Sequence, residues 1–210
     1  MGFITEIKRY RWAVLGRKKI KKCVKEKQRN AQAIKIILGA GHHQLTSGDW
    51  INTDLPQFDV TKSDQWNYIF GALKIDNLLA EHVFEHLTLE QNKIAFDLIY
   101  SYLKPKGVFR FAVPDGYHPD KKYIDYVKPL GSGPGSDDHK LLWTIDLINE
   151  TFSGSKFKII PREYYSKEGN LVSTELRATD GKILRTAGNS DKQDTEIKNY
   201  SSLIIDFVKE

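Results

Sequence analysis

The chain has 210 residues, of which 40% are hydrophobic and 28% are charged. This length suffices for one well-buried α/β domain, and the composition excludes a wholly disordered chain. The single cysteine, Cys23, excludes an intramolecular disulfide and a thiolate zinc cluster and indicates a reducing compartment. No apolar run approaches the roughly eighteen residues that span a bilayer, and no secretory segment is recognised. A cytoplasmic protein is expected.

The net charge of +5 is unevenly distributed. Residues 8–29 contain eleven Lys or Arg and one Glu, while the rest of the chain carries 21 basic and 26 acidic side chains. The sequence therefore predicts a basic N-terminal arm, residues 1–30, followed by a single, mildly acidic domain, residues 31–210.

The arm is expected to form an amphipathic helix over residues 3–29, interrupted near Gly16, with its apolar face at Ile4, Ile7, Tyr10 and Val14. Three roles remain open. The helix covers a ligand pocket as a lid, it attracts an anionic partner such as a membrane surface or a lipid-linked sugar phosphate, or it is disordered. Nucleic acid is disfavoured, because no recognised binding motif is present and the remainder is acidic.

Apolar strands and helical segments alternate between residues 34 and 115. A helix is predicted from the N-cap Thr88, which forms a capping box with Gln91, to Pro105. Alternation at this spacing predicts an α/β fold with a doubly wound, mostly parallel sheet. The predicted strands are Ile34–Leu38, Trp50–Leu55, Phe58–Val60, Ile75–Ala80 and the stretch "GVFRFAVPD" at 107–115.

The C-terminal half has a different character. Residues 117–139 are rich in Pro and Gly and are predicted to form a long loop, part of an acceptor-side loop over about 116–140 that covers a site. A helix is predicted over 140–152 and a strand-rich region over 157–187. A polar loop over 188–198 and a closing apolar segment over 202–210 follow.

Candidate site residues lie where the predicted strands end. In a doubly wound sheet, ligands bind beyond the carboxyl ends of the strands. Glycines there let main-chain amides approach a ligand, and a carboxylate accepts hydrogen bonds from ribose hydroxyls. Each signal alone is weak, but four at one sheet edge predict a nucleoside site. The candidates are Gly39, Ala40, Gly41, Asp54, Leu55, Asp59, Ala80, Glu81 and His82.

Four stretches together carry a resemblance: "IILGAG", "WINTDL", "AEHVFEHLTLEQ" and "LKPKGVFRFAVPD". They resemble the class I S-adenosylmethionine-dependent methyltransferases, in particular a small bacterial group with an "AEHVLEHL"-type segment, over about residues 34–115. The resemblance implies a seven-stranded sheet whose last strand is antiparallel, which the hairpin-like residues 157–185 could supply. It also implies that residues 39–41 line the methionine part of the cofactor, Asp54 the ribose and Asp59 the adenine, while residues 80–82 flank the cofactor.

Two departures bear on the ligand. Leu38 stands where the superfamily has an acidic residue, and only residues 42–49 separate Gly41 from Trp50. A crossover this short leaves little room for the helix N-terminus that stabilises a pyrophosphate, and no phosphate loop motif occurs. Acidic strand ends suit the cationic sulfonium of S-adenosylmethionine better. His42 and His43 are expected to be exposed near the cofactor's carboxylate.

The acceptor side offers His139 and His118 as candidate catalytic bases, with Asp138 and Asp115 close enough in sequence to orient them. The alternative is that both histidines are solvated loop residues. The four-residue spacing of the pairs Glu81/Glu85 and His82/His86 permits metal ligation. A structural role in the cofactor wall is preferred, and no metal site is predicted.

These features favour an S-adenosylmethionine-dependent methyltransferase acting on an unknown small-molecule or glycan-type acceptor. The alternative is a non-catalytic binding or assembly protein that retains the methyltransferase fold. A dinucleotide oxidoreductase is a third and weaker hypothesis.

Overall fold

Seven strands form one sheet in the computed structural model, which describes residues 2–41, 49–192 and 200–210. The strands are β1 (Lys35–Leu38), β2 (Trp50–Asn52), β3 (Ile75–Glu81), β4 (Leu103–Pro114), β5 (Phe157–Tyr165), β6 (Leu171–Ser173) and β7 (Ser202–Lys209). Their spatial order is β2-β1-β3-β4-β7-β5-β6. The helices in the same ranges are α1 (Gly2–Arg29), α2 (Ser63–Phe70), α3 (Leu89–Tyr102), α4 (Lys121–Val127) and α5 (Ile145–Phe152).

The strand directions confirm the predicted α/β fold. β1 pairs in parallel with β2 and β3, and β3 pairs in parallel with β4. β7 is antiparallel to β4 and β5, and β5 is antiparallel to β6, so five of the seven described strands point the same way. The sheet winds outward from β1 in both directions, and this reversal of strand order creates a crevice at the carboxyl edge.

The antiparallel strand beside β4 is β7, so the expectation that residues 157–185 could supply it is wrong. Those residues form only β5 and the short edge strand β6. β7 is buried from Ser202 to Phe207 and carries apolar side chains on both faces. Such a strand must lie inside the sheet, where both faces are covered.

The predicted strand over Phe58–Val60 is also wrong, because side chains satisfy the main chain there. Asp59 accepts hydrogen bonds from the Thr61 amide and hydroxyl, at 2.9 and 2.7 Å. The Trp66 indole donates to the Val60 carbonyl at 2.8 Å. These local bonds compete with strand pairing, and the sheet ends at β2 among the described strands.

The two faces of the sheet are covered differently. Ile36 and Leu38 belong to a large apolar cluster with residues of α1, α2, α3 and α5. Ile37 belongs to a smaller cluster on the opposite face, with Ile183 and Leu176. In the part of the chain that the structure describes, residues 174–187 therefore cover the face that the helices leave open.

Helix α1 is continuous through Gly16, so the predicted interruption is wrong. A Cβ at Gly16 would lie 2.2 Å from Cγ of Gln57, which shows that the glycine permits close packing rather than a break. The packed face is Ala13, Ile20 and Val24, whereas Tyr10, predicted to belong to it, is 72% exposed. The proposed anionic partner of this helix stays a prediction.

The predicted loop over 117–139 contains α4, so the prediction of an irregular segment is wrong there. Asp120 caps α4 by accepting a hydrogen bond from the Lys122 amide at 2.8 Å. The predicted capping box of Thr88 and Gln91 at the start of α3 is confirmed. None of the helices in the described ranges is long and apolar enough to cross a membrane.

Candidate functional site

A cavity of about 340 Å³ opens at the carboxyl ends of β1, β2 and β3. It lies where the strand order reverses, which is the expected ligand position in an open α/β sheet. Its volume is within the range of small-molecule and cofactor sites. We call it the strand-edge cavity. Six of the predicted site residues line it: Gly39, Gly41, Asp54, Leu55, Asp59 and His82.

The glycine turn after β1 forms one wall of this cavity. Gly39 and Gly41 have φ angles of +61° and +52°, which side chains rarely adopt. A Cβ at Gly39 would also lie 2.4 Å from Cγ2 of Val83, so the position admits only glycine without rearrangement. Gly39 is therefore required by its φ angle and by its close packing against Val83, and both glycines line the cavity.

Asp54 and Asp59 also line this cavity. Asp54 Oδ2 accepts a hydrogen bond from the Gly41 amide at 3.0 Å, and Oδ1 accepts one from the Leu55 amide at 2.7 Å. Each carboxylate oxygen has two lone pairs, so Asp54 retains capacity for a ligand diol. Asp59 uses Oδ1 for Thr61.

The carboxylates that line the strand-edge cavity give it negative charge. Its charged lining residues are Asp54, Asp59 and Asp138, and no Lys or Arg is among the described residues that line it. A pyrophosphate needs basic side chains or a helix N-terminus to offset its charge. The cavity is thus better matched to a cationic, phosphate-free ligand than to a dinucleotide.

His82 connects this cavity to a second one. Its main chain has φ +56°, and its amide donates to the Ala112 carbonyl at 2.8 Å. The ring Nε2 lies 3.1 Å from Ser202 Oγ, and Nδ1 lies 3.3 Å from Oε1 of Glu85. Strained main chain of this kind clusters at functional sites, where the surrounding structure enforces it.

The second cavity has a volume of about 370 Å³ and shares His82 and His86 with the strand-edge cavity. We call it the inner cavity. Its wall is aromatic and polar, with Tyr126 and Arg185 among its lining residues. His82 and His86 are therefore the described residues that border both cavities.

Three ionisable side chains line the inner cavity close together: Glu85, His86 and His139. The Glu85 side chain is 1% exposed, and burial is the main cause that raises its pKa to about 8. Burial, followed by the neighbouring His139, lowers the pKa of His86. His139 is 8% exposed, and its Nδ1 lies 2.6 Å from the Val127 carbonyl.

The structure does not bring every predicted cofactor residue to the strand-edge cavity. Ala80 is buried in the large apolar cluster. Ala40 packs on the opposite face of the sheet. Glu81 also points to that side, where its carboxylate accepts hydrogen bonds from the Leu184 and Arg185 amides. Side chains alternate along a strand, which sends Glu81 and its neighbours to different faces.

Of the two predicted bases, only His139 lines a cavity with other candidate residues. His118 is 6% exposed and stacks on Tyr123 with 3.9 Å between ring centroids. Its Nδ1 accepts a hydrogen bond from the Asp120 amide at 3.1 Å. His118 therefore stabilises the start of α4. The positions predicted for His42 and His43 lie outside the described residues.

Sequence reasoning assigned no role at either cavity to Val83, Tyr126, Arg185 or Tyr200, which line them. Tyr126 and Tyr200 are 74 residues apart, and no local pattern links them. Val83 lies within the segment "AEHVFEHL", so its position just after β3 is the signal that could have found it.

A larger cavity, about 770 Å³, lies between α1 and the residues around β2. Its lining includes Gly41, which directly precedes residues outside the described ranges. Ala40 and Asp54 also line it, but Gly39, Asp59 and the clustered histidines lie at the other two cavities, so we assign no ligand to this one.

No protein-family model matches the sequence, and no curated protein is similar to it in sequence. Among solved structures, a SAM-dependent methyltransferase from Archaeoglobus fulgidus is 14% identical, with 92% of this chain and 94% of that chain covered and a TM-score of 0.49. Magnesium protoporphyrin IX methyltransferase from Synechocystis PCC 6803 is 11% identical, with 100% and 85% covered and a TM-score of 0.44. An S-adenosylmethionine-dependent methyltransferase from Clostridium acetobutylicum is 11% identical, with 91% of each chain covered and a TM-score of 0.47. At these identities and TM-scores we draw no functional conclusion from the similarity.

Proposed function

We propose that this protein is an S-adenosylmethionine-dependent methyltransferase that acts on a small, polar acceptor. The observation that carries the proposal is the strand-edge cavity, where two glycines and three aspartates line the wall and no Lys or Arg is among the described lining residues. When bound, S-adenosylmethionine supplies an electrophilic methyl group on a cationic sulfonium. Gly39 and Gly41 would let the methionine part of the cofactor lie close to the main chain. Asp54 would accept hydrogen bonds from the ribose hydroxyls.

The acceptor in this proposal occupies the inner cavity. Methyl transfer is an in-line displacement, so its rate depends on holding the two reactants aligned and in contact. His82 and His86 line both cavities and thus stand where the methyl group would pass. His139 has one ring nitrogen available to accept the proton that an acceptor hydroxyl or amine releases. The volume of about 370 Å³ favours a small molecule or one end of a glycan.

The proposal is tested by thermal unfolding with S-adenosylhomocysteine, the product form of the cofactor, and with NAD. At about 100 times its dissociation constant a ligand stabilises a protein by about 2.7 kcal/mol, which raises the Tm of a chain this size by about 5–10 °C. We expect that shift with S-adenosylhomocysteine and none with NAD. If neither S-adenosylmethionine nor S-adenosylhomocysteine raises the Tm, the proposal is rejected.

Three variants locate the binding. Asp54→Ala removes the proposed ribose acceptor and is expected to abolish most of the Tm shift. Asp97→Ala removes one carboxylate from the exposed surface of α3 and is expected to leave the shift unchanged. His139→Ala alters only the inner cavity and should retain the shift. An undiminished shift in Asp54→Ala would place the ribose elsewhere.

A further inference from the structure

Glu85 is a buried carboxylate whose oxygens lack hydrogen-bond donors. Its side chain is 1% exposed, and neither oxygen accepts a well-formed hydrogen bond from another described residue. A buried polar group without partners is costly, and a carboxyl group in such a place is stabilised by a proton or by a cation. Oε1 faces two imidazoles: His82 Nδ1 lies 3.3 Å away and His139 Nε2 lies 4.0 Å away.

His139 presents a lone pair to Glu85. Its Nδ1 lies 2.6 Å from the Val127 carbonyl oxygen, which can only accept a hydrogen bond. In the neutral ring, Nδ1 therefore carries the proton and Nε2 has the lone pair. A hydrogen bond from one ring nitrogen to a main-chain carbonyl is the usual way in which a metal-binding histidine is held in its tautomer.

His86 is held in a related way by a carboxylate. Its Nδ1 lies 3.5 Å from Oδ2 of Asp138, and its ring is edge-on to that of His139, with 4.7 Å between centroids. Because a carboxylate accepts, Nδ1 is the protonated nitrogen and Nε2 retains its lone pair. A carboxylate behind an imidazole is a recurring arrangement at metal sites.

We propose that Glu85, His86 and His139 bind a divalent transition-metal ion such as Zn²⁺, through one carboxylate oxygen and two imidazole nitrogens. One such atom from each of the three side chains lies within 4.8 Å of the other two. Ligand atoms of a tetrahedral zinc site are about 3.3 Å apart, so binding draws the side chains together. The His86 side chain, 32% exposed, is the least buried of the three.

The donor set selects the class of ion. Two imidazoles and a single carboxylate suit Zn²⁺ and other first-row transition metals, whereas Mg²⁺ and Ca²⁺ prefer oxygen ligands. Three protein ligands leave a fourth position open. All three residues line the inner cavity, so the open position is accessible from it.

The metal site does not depend on the proposed methyltransferase activity. Where that activity holds, the ion would bind an acceptor hydroxyl or thiol and lower its pKa, and His139 would act as a ligand rather than as the base.

The test is metal binding by the full chain after removal of metal with a chelator. Zn²⁺ is titrated calorimetrically, and Co²⁺ is added to record the absorption of a four-coordinate site. We expect one ion per chain and a Co²⁺ spectrum of tetrahedral type. We expect Zn²⁺ binding to weaken more than about 100-fold in each of the variants Glu85→Gln, His86→Ala and His139→Ala. This exceeds the 10–100-fold loss that is typical when a residue that only hydrogen-bonds to a ligand is removed.

Asp138 is a positioning residue in this proposal. Asp138→Asn should weaken Zn²⁺ binding about 10–100-fold and leave the Co²⁺ spectrum tetrahedral. Glu150→Gln, at an exposed carboxylate, is the control that should bind like the wild type. Each variant is first shown by near-ultraviolet circular dichroism to be folded without metal.

Two results would overturn the proposal: absence of Zn²⁺ binding by the wild type, or equal binding by a folded His86→Ala variant. Stabilisation by S-adenosylhomocysteine is measured in metal-free protein, so failure of the cofactor proposal and failure of the metal proposal are separate outcomes.

Discussion

At the scale of single residues, main-chain conformation shapes the strand-edge cavity. Gly39, Gly41 and His82 all have positive φ angles, and they end β1 and β3 on neighbouring strands. For the glycines this conformation costs little, but for His82 it is strained. The strain turns the chain sharply after β3, so that the His82 ring lies between the two cavities.

This strain predicts an unusual order of stability. His82→Gly and His82→Ala lose the same ring contacts, so their difference reports the main chain alone. We expect the glycine variant to have a free energy of unfolding about 0.5–1 kcal/mol higher, because relief of the left-handed conformation exceeds the extra entropy of the unfolded chain. Urea denaturation of the two variants measures it.

The control is an exposed position inside a helix. At Lys93 in α3, glycine should be less stable than alanine by about 1 kcal/mol, which is the opposite order. The same order at both positions would show that His82 carries no strain.

At the scale of elements, a buried ion pair joins β4 to β7. Arg110 and Asp206 face each other in the register of these strands, and both are fully buried. Arg110 Nε and Nη2 donate to the two oxygens of Asp206 at 2.7 and 2.9 Å. Nη1 also donates to the carbonyls of Arg177 and Gly181, which holds residues 174–187 against the sheet.

We expect Asp206→Ala to lower the free energy of unfolding by about 3–5 kcal/mol, since it removes the buried carboxylate that pairs with both Arg110 and Arg162. Asp180, whose Oδ2 lies 3.9 Å from Nη2 of Arg110, is then the nearest described carboxylate to Arg110. Asp125→Ala breaks an exposed pair with Lys128 and should cost less than about 1 kcal/mol. Guanidinium denaturation distinguishes the two. Similar small losses in both variants would mean that Arg110 finds another partner or water.

At the scale of the whole molecule, Asp115 connects distant parts of the chain. It follows β4 and is fully buried, and its carboxylate accepts hydrogen bonds from the amides of Tyr117 and Tyr165. Its own amide donates to the Tyr123 hydroxyl, which in turn donates to the carbonyl of Ser201. Burial is the main cause that raises the pKa of Asp115 to about 6.

The raised pKa predicts how stability depends on pH. Below about pH 4 Asp115 is protonated in both states, and above about pH 6 it is charged in both. Between these values only the unfolded state is ionised, so the contribution of Asp115 to stability falls as pH rises, by about 3 kcal/mol in all.

Asp115→Asn removes this titration. We expect the free energy of unfolding of the variant, relative to the wild type, to rise by about 3 kcal/mol between pH 4 and pH 7. Denaturation of both proteins across this range measures the change, and any constant cost from the altered hydrogen bonds cancels. A difference that does not vary with pH would contradict the prediction.

Much of the fold follows from local signals. The apolar runs of β1 and β3, and the capping box of Thr88 and Gln91, act within a few residues and were predictable. The absence of a strand over Phe58–Val60 was harder to predict. There, Asp59 and Trp66 form hydrogen bonds with the main chain that replace strand pairing. Such bonds compete with pairing at similar energies, and the pattern of apolar residues does not reveal them.

The sequence by itself determined the class of sheet and the chemistry at its edge, with glycines after β1 and aspartates after β2. Tertiary structure decided which strands are central, which residues cover the second face, and that Glu85 meets His139, 54 positions away along the chain. The reason is physical: periodicity and capping depend on neighbours in the chain, whereas burial of β7 and the meeting of side chains depend on packing between distant segments.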